Sequence, residues 1–289
     1  AESQAFLMKA MLGALGLMFA ILLAQFNSLY NSVLVLSAVV MSVAGVLIGM
    51  VVMGQTFSII MTGTGILKAF DFAGKELWAR DIQKDYGAFG LNWGYASSPL
   101  LHRDHLYVQV LHGMKTDDPS YLLSIDKRTG KTRWRVERPT DAVSESPDAY
   151  TTPALLRYDG KEEIVVSGGD YVTGHDPETG AELWRAGGLN PNKGRNYRIV
   201  ASPFVSDGLI YVSSRVRPLI VLRPGGRGDV TESHKVWSTD QGPDVPTPAS
   251  DGTYTFIVND RGIAWCRNAK TGAEVWGDQR LRAGTYSAS

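Results

Sequence analysis

The hydrophobic pattern of the chain changes once, near residue 66. From Ala5 to Phe26 it is apolar apart from Lys9 and Gln25, and from Ser32 to Met53 it carries no charge. A helix of about 22 residues rises about 33 Å, enough to cross a hydrocarbon core of roughly 30 Å. A polar joint, Gln25 to Asn31, separates the two runs, and Gly54-Gln55-Thr56 separates the second from a third, Phe57 to Ile66. That third run, at about 15 Å as a helix, cannot cross alone. The pattern predicts two to three hydrophobic transmembrane α-helices (about 5–26, 32–53 and a partial 57–66) seated in a lipid bilayer. A cleaved secretory signal fits less well, because another uncharged run follows the first.

From residue 67 the period shortens and a signature recurs. An apolar strand runs into Asp or Asn, then a short turn, then Gly, with Trp four residues after the Gly. The copies are Asp71…Gly74…Trp78, Asp126…Gly130…Trp134, Asp176…Gly180…Trp184 and Asn268…Gly272…Trp276. A divergent copy, Val221 through Trp237, has a longer turn. Upstream stand Ser98-Pro99, Thr152-Pro153, Ser202-Pro203 and Thr247-Pro248, their prolines 54, 50 and 45 residues apart. Strands at that period, without helical periodicity, predict blades of four antiparallel strands. Four whole blades fall at about 95–134, 149–184, 199–237 and 244–276, with a partial blade at 67–78. The expected fold is thus an all-β propeller over 67–289, incomplete and cut at both ends, preceded by the helical segment 1–66.

Each repeat position has a physical role. Gly accepts the positive φ of a tight turn. Asp or Asn bonds backbone N–H groups in that turn, and Thr does so more weakly. Trp at a fixed offset emerges on one face of its strand and can pack between neighbouring sheets.

Composition separates the same two parts. Residues 1–66 hold two charged side chains, Glu2 and Lys9, and seven of the eight Met; all seven Trp lie beyond. The formal net charge is zero, which gives no basic face for nucleic acid. The single cysteine, Cys266, excludes an intrachain disulfide, and its apolar surroundings (Ile263 to Cys266) make it a buried structural thiol.

Three segments invite chemistry. His102-Arg103-Asp104-His105 has the look of a metal pair, but on one strand that spacing sends the rings to opposite faces, so a loop pair is expected. Arg223 to Asp229 is Gly-rich, yet no helix start follows to cradle a phosphate, and a long hairpin is expected. Tyr86 to Tyr95 is an aromatic loop with small spacers, the candidate surface for a protein or small-ligand contact on a propeller face. The turn aspartates are explained by the repeat. No residue is singled out as catalytic, cofactor-binding or metal-binding.

The segments Ala20 to Tyr30, Ala44 to Gly49 and Gly54 to Gly65 resemble the helices that follow a large periplasmic loop in RND-family efflux permeases. Residues 1–66 contain no intramembrane acid or arginine to relay protons, so transport belongs only to that parent family. Residues 67–289 resemble the PQQ-like repeat family, which includes quinoprotein dehydrogenases and non-catalytic BamB-type propellers. These resemblances imply a bacterial inner-membrane segment, a periplasmic propeller, and a binding or scaffold module without a cofactor. The alternatives are a fragment of a quinoprotein oxidoreductase, which would need PQQ and calcium, and an RND-type transport protein. A third helix truncated at Ile66 would leave Lys68, Asp71 and Lys75 near hydrocarbon, at about 2.5 kcal/mol or more each. The junction is therefore expected to be a fusion of unrelated pieces.

Overall fold

The structure is a computed structural model that describes residues 58–215, 217–282 and 284–286, with scattered residues between 13 and 41. It falls into two compact units, residues 1–58 with 71–75 and residues 59–70 with 76–289. In the first unit the described residues between 13 and 41 are helical and mostly exposed. The turn at 71–75 closes when Asp71 Oδ1 accepts the amides of Ala73 and Lys75, both at 2.9 Å.

The expected transmembrane helices require correction. Among the described residues no helix is long and apolar enough to cross a membrane. Much of 5–26 and of 32–53 lies outside the described residues. The partial helix expected at 57–66 is a hairpin instead. Strand β1 is Ser58–Met61, and β2, Ile66–Phe70, follows a turn in which Thr62 Oγ1 accepts the Ile66 amide. Gly65 adopts φ 81° there, a conformation no helix passes through. The short apolar run Phe57 to Met61 suits a buried strand as well as a helix, and only the Thr-Gly-Thr-Gly turn after it decides.

Five sheets follow in sequence. Blade 1 holds β1, β2 and β3 (Glu76–Asp81), and a one-turn helix α1 (Ile82–Tyr86) leaves it. Blade 2 is β4 (Leu100–His102), β5 (His105–Val110), β6 (Tyr121–Asp126) and β7 (Thr132–Glu137). Blade 3 is β8 (Ala154–Tyr158), β9 (Lys161–Gly168), β10 (Tyr171–His175) and β11 (Glu182–Ala186). Blade 4 is β12 (Phe204–Ser206), β13 (Leu209–Ser213) and β14 (Leu219–Leu222), then, past a two-residue strand β15 (Gly228–Asp229), β16 (Lys235–Thr239). Blade 5 is β17 (Ala249–Ser250), β18 (Tyr254–Val258), β19 (Ile263–Asn268) and β20 (Glu274–Arg280).

The middle strands of blades 2 to 4 are covered on both faces, so β6 and β14 read as near-continuous apolar runs. The outer strand β7 alternates between half-buried and exposed, because only one of its faces meets a neighbour. The turn acids do what the repeat requires. Asp126 Oδ1 accepts from Arg128 N, Thr129 N and Thr129 Oγ1, and Asp176 Oδ1 binds Glu178 and Thr179 in the same way.

Two repeated devices join one blade to the next. In the first, the Trp of one blade seats on the Gly turn of the following blade. Trp78, Trp134 and Trp237 donate their indole N–H to the carbonyls of Lys127, Pro177 and Ala269 at 2.9, 3.2 and 2.9 Å. The rings lie over Gly130, Gly180 and Gly272, where an added Cβ would come within 2.7, 2.7 and 2.6 Å of ring carbon. Glycine is thus needed twice, for its positive φ and for the space it leaves. In the second, the hydroxyl of Thr152, Ser202 and Thr247 in their Ser/Thr-Pro pairs accepts the amide of its counterpart one blade earlier. Ser98 N reaches Thr152 Oγ1 at 3.1 Å, Thr152 N reaches Ser202 Oγ at 2.9 Å, and Ser202 N reaches Thr247 Oγ1 at 3.1 Å.

Candidate binding face

Antiparallel strands reverse at every turn. The first-to-second and third-to-fourth connections of a blade therefore lie at one end, and the second-to-third and blade-to-blade connections at the other. The first end carries tight turns such as Asp159-Gly160 and Asp207-Gly208, with positive φ at both positions. The second carries the long loops, and loops on a rigid scaffold are where binding residues gather. The aromatic loop Tyr86–Tyr95 lies there.

That loop is held by groups from three other segments. Asp81 caps α1 by accepting the Lys84 amide. Gln83 then bridges back, donating to Thr64 O at 2.8 Å and accepting the Phe89 amide at 2.7 Å. Gly90 N donates to His112 Nδ1 at 3.0 Å, so the His112 proton resides on Nε2 and is shared with Pro119 O. Burial lowers the His112 pKa and keeps the ring neutral in that role. Gly90 must be glycine, since a Cβ would meet Thr116 Cγ2 at 2.1 Å.

The tip is pinned by acids of the loop before blade 3. Asp148, fully buried, accepts the amides of Asn92 at 2.7 Å and Met114 at 3.0 Å. Burial raises its pKa even though these amides pull the other way. Tyr150 donates no proton to the solvent readily, being pushed up to about 12 by burial, and its OH accepts the Trp93 amide at 3.1 Å. Glu145 Oε1 takes the Trp93 indole N–H at 3.0 Å. The result is a tryptophan fixed at backbone and ring yet 75% exposed. Met114 and Val143, both exposed, belong to the segments that hold it.

The other sequence candidates land elsewhere. His102 and His105 face each other across the β4–β5 hairpin as cross-strand partners, so the loop-pair expectation is corrected. His102 Nε2 meets Glu162 Oε2 at 2.9 Å rather than its neighbour. Cys266 is buried within β19, and burial raises its pKa. Arg223 to Asp229 forms a long hairpin whose β15 leaves blade 4 and pairs in parallel with β11 of blade 3, Trp184 opposite Gly228. Blade 4 therefore offers no Gly turn to Trp184, whose indole turns to buried Glu163 Oε2 at 2.7 Å. A calcium–quinone site requires several converging oxygens. Among the described residues no group of three or more His, Cys, Asp or Glu side chains is placed to hold a metal.

Five successive antiparallel sheets, coupled by Trp-on-Gly docks and Ser/Thr relays, define a β-propeller of PQQ-like repeats. Residues 36–278 match the family model described as outer membrane protein assembly factor BamB, and the chain belongs to that family. The match begins inside the stretch that resembled a permease, so residues 36–66 are taken in by the propeller family. BamB from Moraxella catarrhalis shares the fold over 77% of this chain and 61% of its own, with a TM-score of 0.56 at 19% identity. Quinohemoprotein alcohol dehydrogenase from Comamonas testosteroni does so over 79% of this chain and 41% of its own, with a TM-score of 0.50 at 15% identity. Quinohemoprotein alcohol dehydrogenase ADH-IIG of Pseudomonas putida is 27% identical over 154 residues, which is 47% of this chain and 19% of that protein. The chain thus spans less than two thirds of each of these relatives.

Proposed function

We propose that this chain is a non-catalytic binding propeller that docks a protein partner on its long-loop face, with Trp93 as the anchor. The observation that carries this reading is the rigidity of an exposed aromatic. Trp93 is held by Asp148 through the neighbouring Asn92 amide, by Tyr150 and by Glu145, so little side-chain freedom is lost on contact. Likeness to an outer membrane assembly factor supports a scaffold role and a periplasmic location. The test is co-purification of the chain with its periplasmic partner. Trp93→Ala is expected to weaken the complex by roughly tenfold or more, as loss of a central aromatic anchor does. Asp207→Ala, at the opposite end of the blades, leaves it intact. Equal retention by both variants refutes the assignment.

The similarity to alcohol dehydrogenase ADH-IIG favours a second reading, a piece of a quinoprotein oxidoreductase. The two separate on one assay: the chain incubated with PQQ and calcium either reduces a dye at the expense of an alcohol or does not. The binding reading expects no turnover.

A further inference from the structure

Next to the segments that hold Trp93, the long-loop face is hollowed by a cleft of about 410 Å³. One wall is the connection from β5 to β6, and the other is the start of the connection from blade 2 to blade 3. The walls are tied together. The Arg138 amide donates to Ser120 O at 2.7 Å, and the Ser120 hydroxyl exchanges hydrogen bonds at 3.0 Å with both backbone groups of His112. Pro147 packs on Gly113, where an added Cβ would come within 2.6 Å of the proline Cβ. The same walls continue into the mount of Trp93. Met114, one residue past Gly113, gives its amide to Asp148, and Glu145, one residue past Ser144, takes the Trp93 indole N–H. Cleft and tryptophan are therefore parts of one fixed surface, and the exposed side chains of Met114 and Val143 belong to it.

The chemistry of the lining is divided. Pro119, Pro139, Ala142 and Val143 give it hydrocarbon sides, while Asp117 and Asp118 bring two exposed carboxylates. A Cβ at Gly87, the C-cap of α1, would stand 3.5 Å from Asp118 Oδ2, so this carboxylate borders the aromatic loop. Among the described residues neither acid is in an ion pair. The cation of the lining, Arg138, is fully buried, and its guanidinium is engaged by Thr173 Oγ1, Gly168 O and Tyr171 O. Lys115 Nζ is held by Asn92 O at 3.1 Å. An anion entering the cleft meets two acids before a guanidinium that shows almost no surface, whereas a cation meets the acids unopposed. A bare metal ion lacks ligands, since among the described residues no three His, Cys, Asp or Glu side chains converge. Exposed carboxylates need no partner by themselves. Beside a hydrocarbon cleft, however, they select a side chain with an apolar stem and a charged end, which is the build of lysine and arginine. The volume is near the low end of small-molecule pockets, roughly 300–1,000 Å³, and suits one long side chain of a larger partner.

We propose that the protein partner presents a lysine or arginine to this cleft, its stem along the proline and valine walls and its charge at Asp117 and Asp118, with an apolar side chain of the same segment on Trp93. The inference rests on the binding-face reading and names the chemistry of the partner.

Short random peptides displayed on phage are selected on the full chain. The wild type enriches peptides that combine Lys or Arg with an aromatic or aliphatic residue. The double variant Asp117→Asn/Asp118→Asn, altered only at exposed side chains, loses the basic enrichment and keeps its urea midpoint. A selected peptide is then measured by fluorescence anisotropy. Replacing its basic residue by norleucine keeps the stem and removes the charge. That change and the double substitution each weaken binding about threefold to fivefold, as loss of a solvent-exposed ion pair does, and together they weaken it no further. Selection without basic enrichment, enrichment of acidic peptides, or additive effects of the two changes overturns the inference. Trp93→Ala reports separately on the binding-face reading. If it binds the selected peptides as the wild type does while the acids matter, the anchor is wrong and the preference of the cleft for a cation stands. If it loses them while the double variant keeps them, the anchor stands and this inference fails. If the wild type selects no peptide over a variant carrying all three substitutions, both fail.

Discussion

The proton on His175 shows how one buried residue makes the fold sensitive to pH. A carbonyl can only accept, so the 3.0 Å contact to Gly180 O places the ring proton on Nδ1. Nε2 is then an acceptor for the Thr173 hydroxyl at 2.9 Å, and that oxygen in turn accepts Arg138 Nε at 2.8 Å. Arg138 is itself fully buried and, among the described residues, makes no ion pair, and burial pulls its pKa down to about 10. A second positive charge has no place here, and burial chiefly pushes His175 down to about 4. Because the folded pKa lies below the unfolded value of about 6.5, the unfolded chain binds the proton first as pH falls. Stability is therefore complete above about pH 6.5, declines as pH falls toward 4 and levels off below it, the loss being on the order of 3 kcal/mol. Urea midpoints between pH 7 and 4.5 check this. His175→Gln should have a shallower slope above pH 5, the remainder coming from His105, His112 and His234, which burial also pushes down.

At the scale of elements, the hairpin between β14 and β16 replaces a Trp-on-Gly dock with strand addition. Glu163 holds the joint, accepting Trp184 Nε1 at 2.7 Å and Tyr158 OH at 2.6 Å, with Arg227 of the hairpin 3.4 Å away. Glu163→Ala strands two donors and is expected to cost about 3 kcal/mol by denaturant titration. Arg227→Ala, at an exposed side chain, should cost less than about 1 kcal/mol. Equal effects would mean that the ion pair, not the buried hydrogen bonds, closes this joint. The sequence shows the longer turn and Trp184, but nothing in Gly228-Asp229 marks a strand, because two residues carry no alternation to read. The docks were legible because Asp, Gly and Trp recur at fixed offsets. The helix expected at 57–66 failed because the apolar stretch Phe57 to Met61 is too short to show a period, and Thr62 to Gly65 after it form a turn. The aromatic loop at Tyr86–Tyr95 declared itself by composition, whereas Asp148, which fixes it, lies 56 residues beyond Asn92 and carries no local signal.

Across the whole run of blades, the Ser/Thr-Pro pairs raise the question of whether coupling is passed along or stays between neighbours. At Thr152 and Ser202 the hydroxyl accepts from the blade before while the amide donates to the blade after, so no single group carries both bonds of a relay. Repeats that touch only their neighbours contribute to stability as a sum of local terms. Ser202→Ala removes the acceptor of the Thr152 amide but keeps the Ser202 amide bonded to Thr247 Oγ1. The loss of one such bond, about 1 kcal/mol, corresponds to a roughly fivefold faster opening of Thr152 in native-state hydrogen exchange. The Ser98 amide, held by the untouched Thr152 hydroxyl, should exchange as before. Acceleration at Ser98 to the same degree would show that a break at one joint loosens the next, and that the blades act as one cooperative ring of contacts rather than as a series.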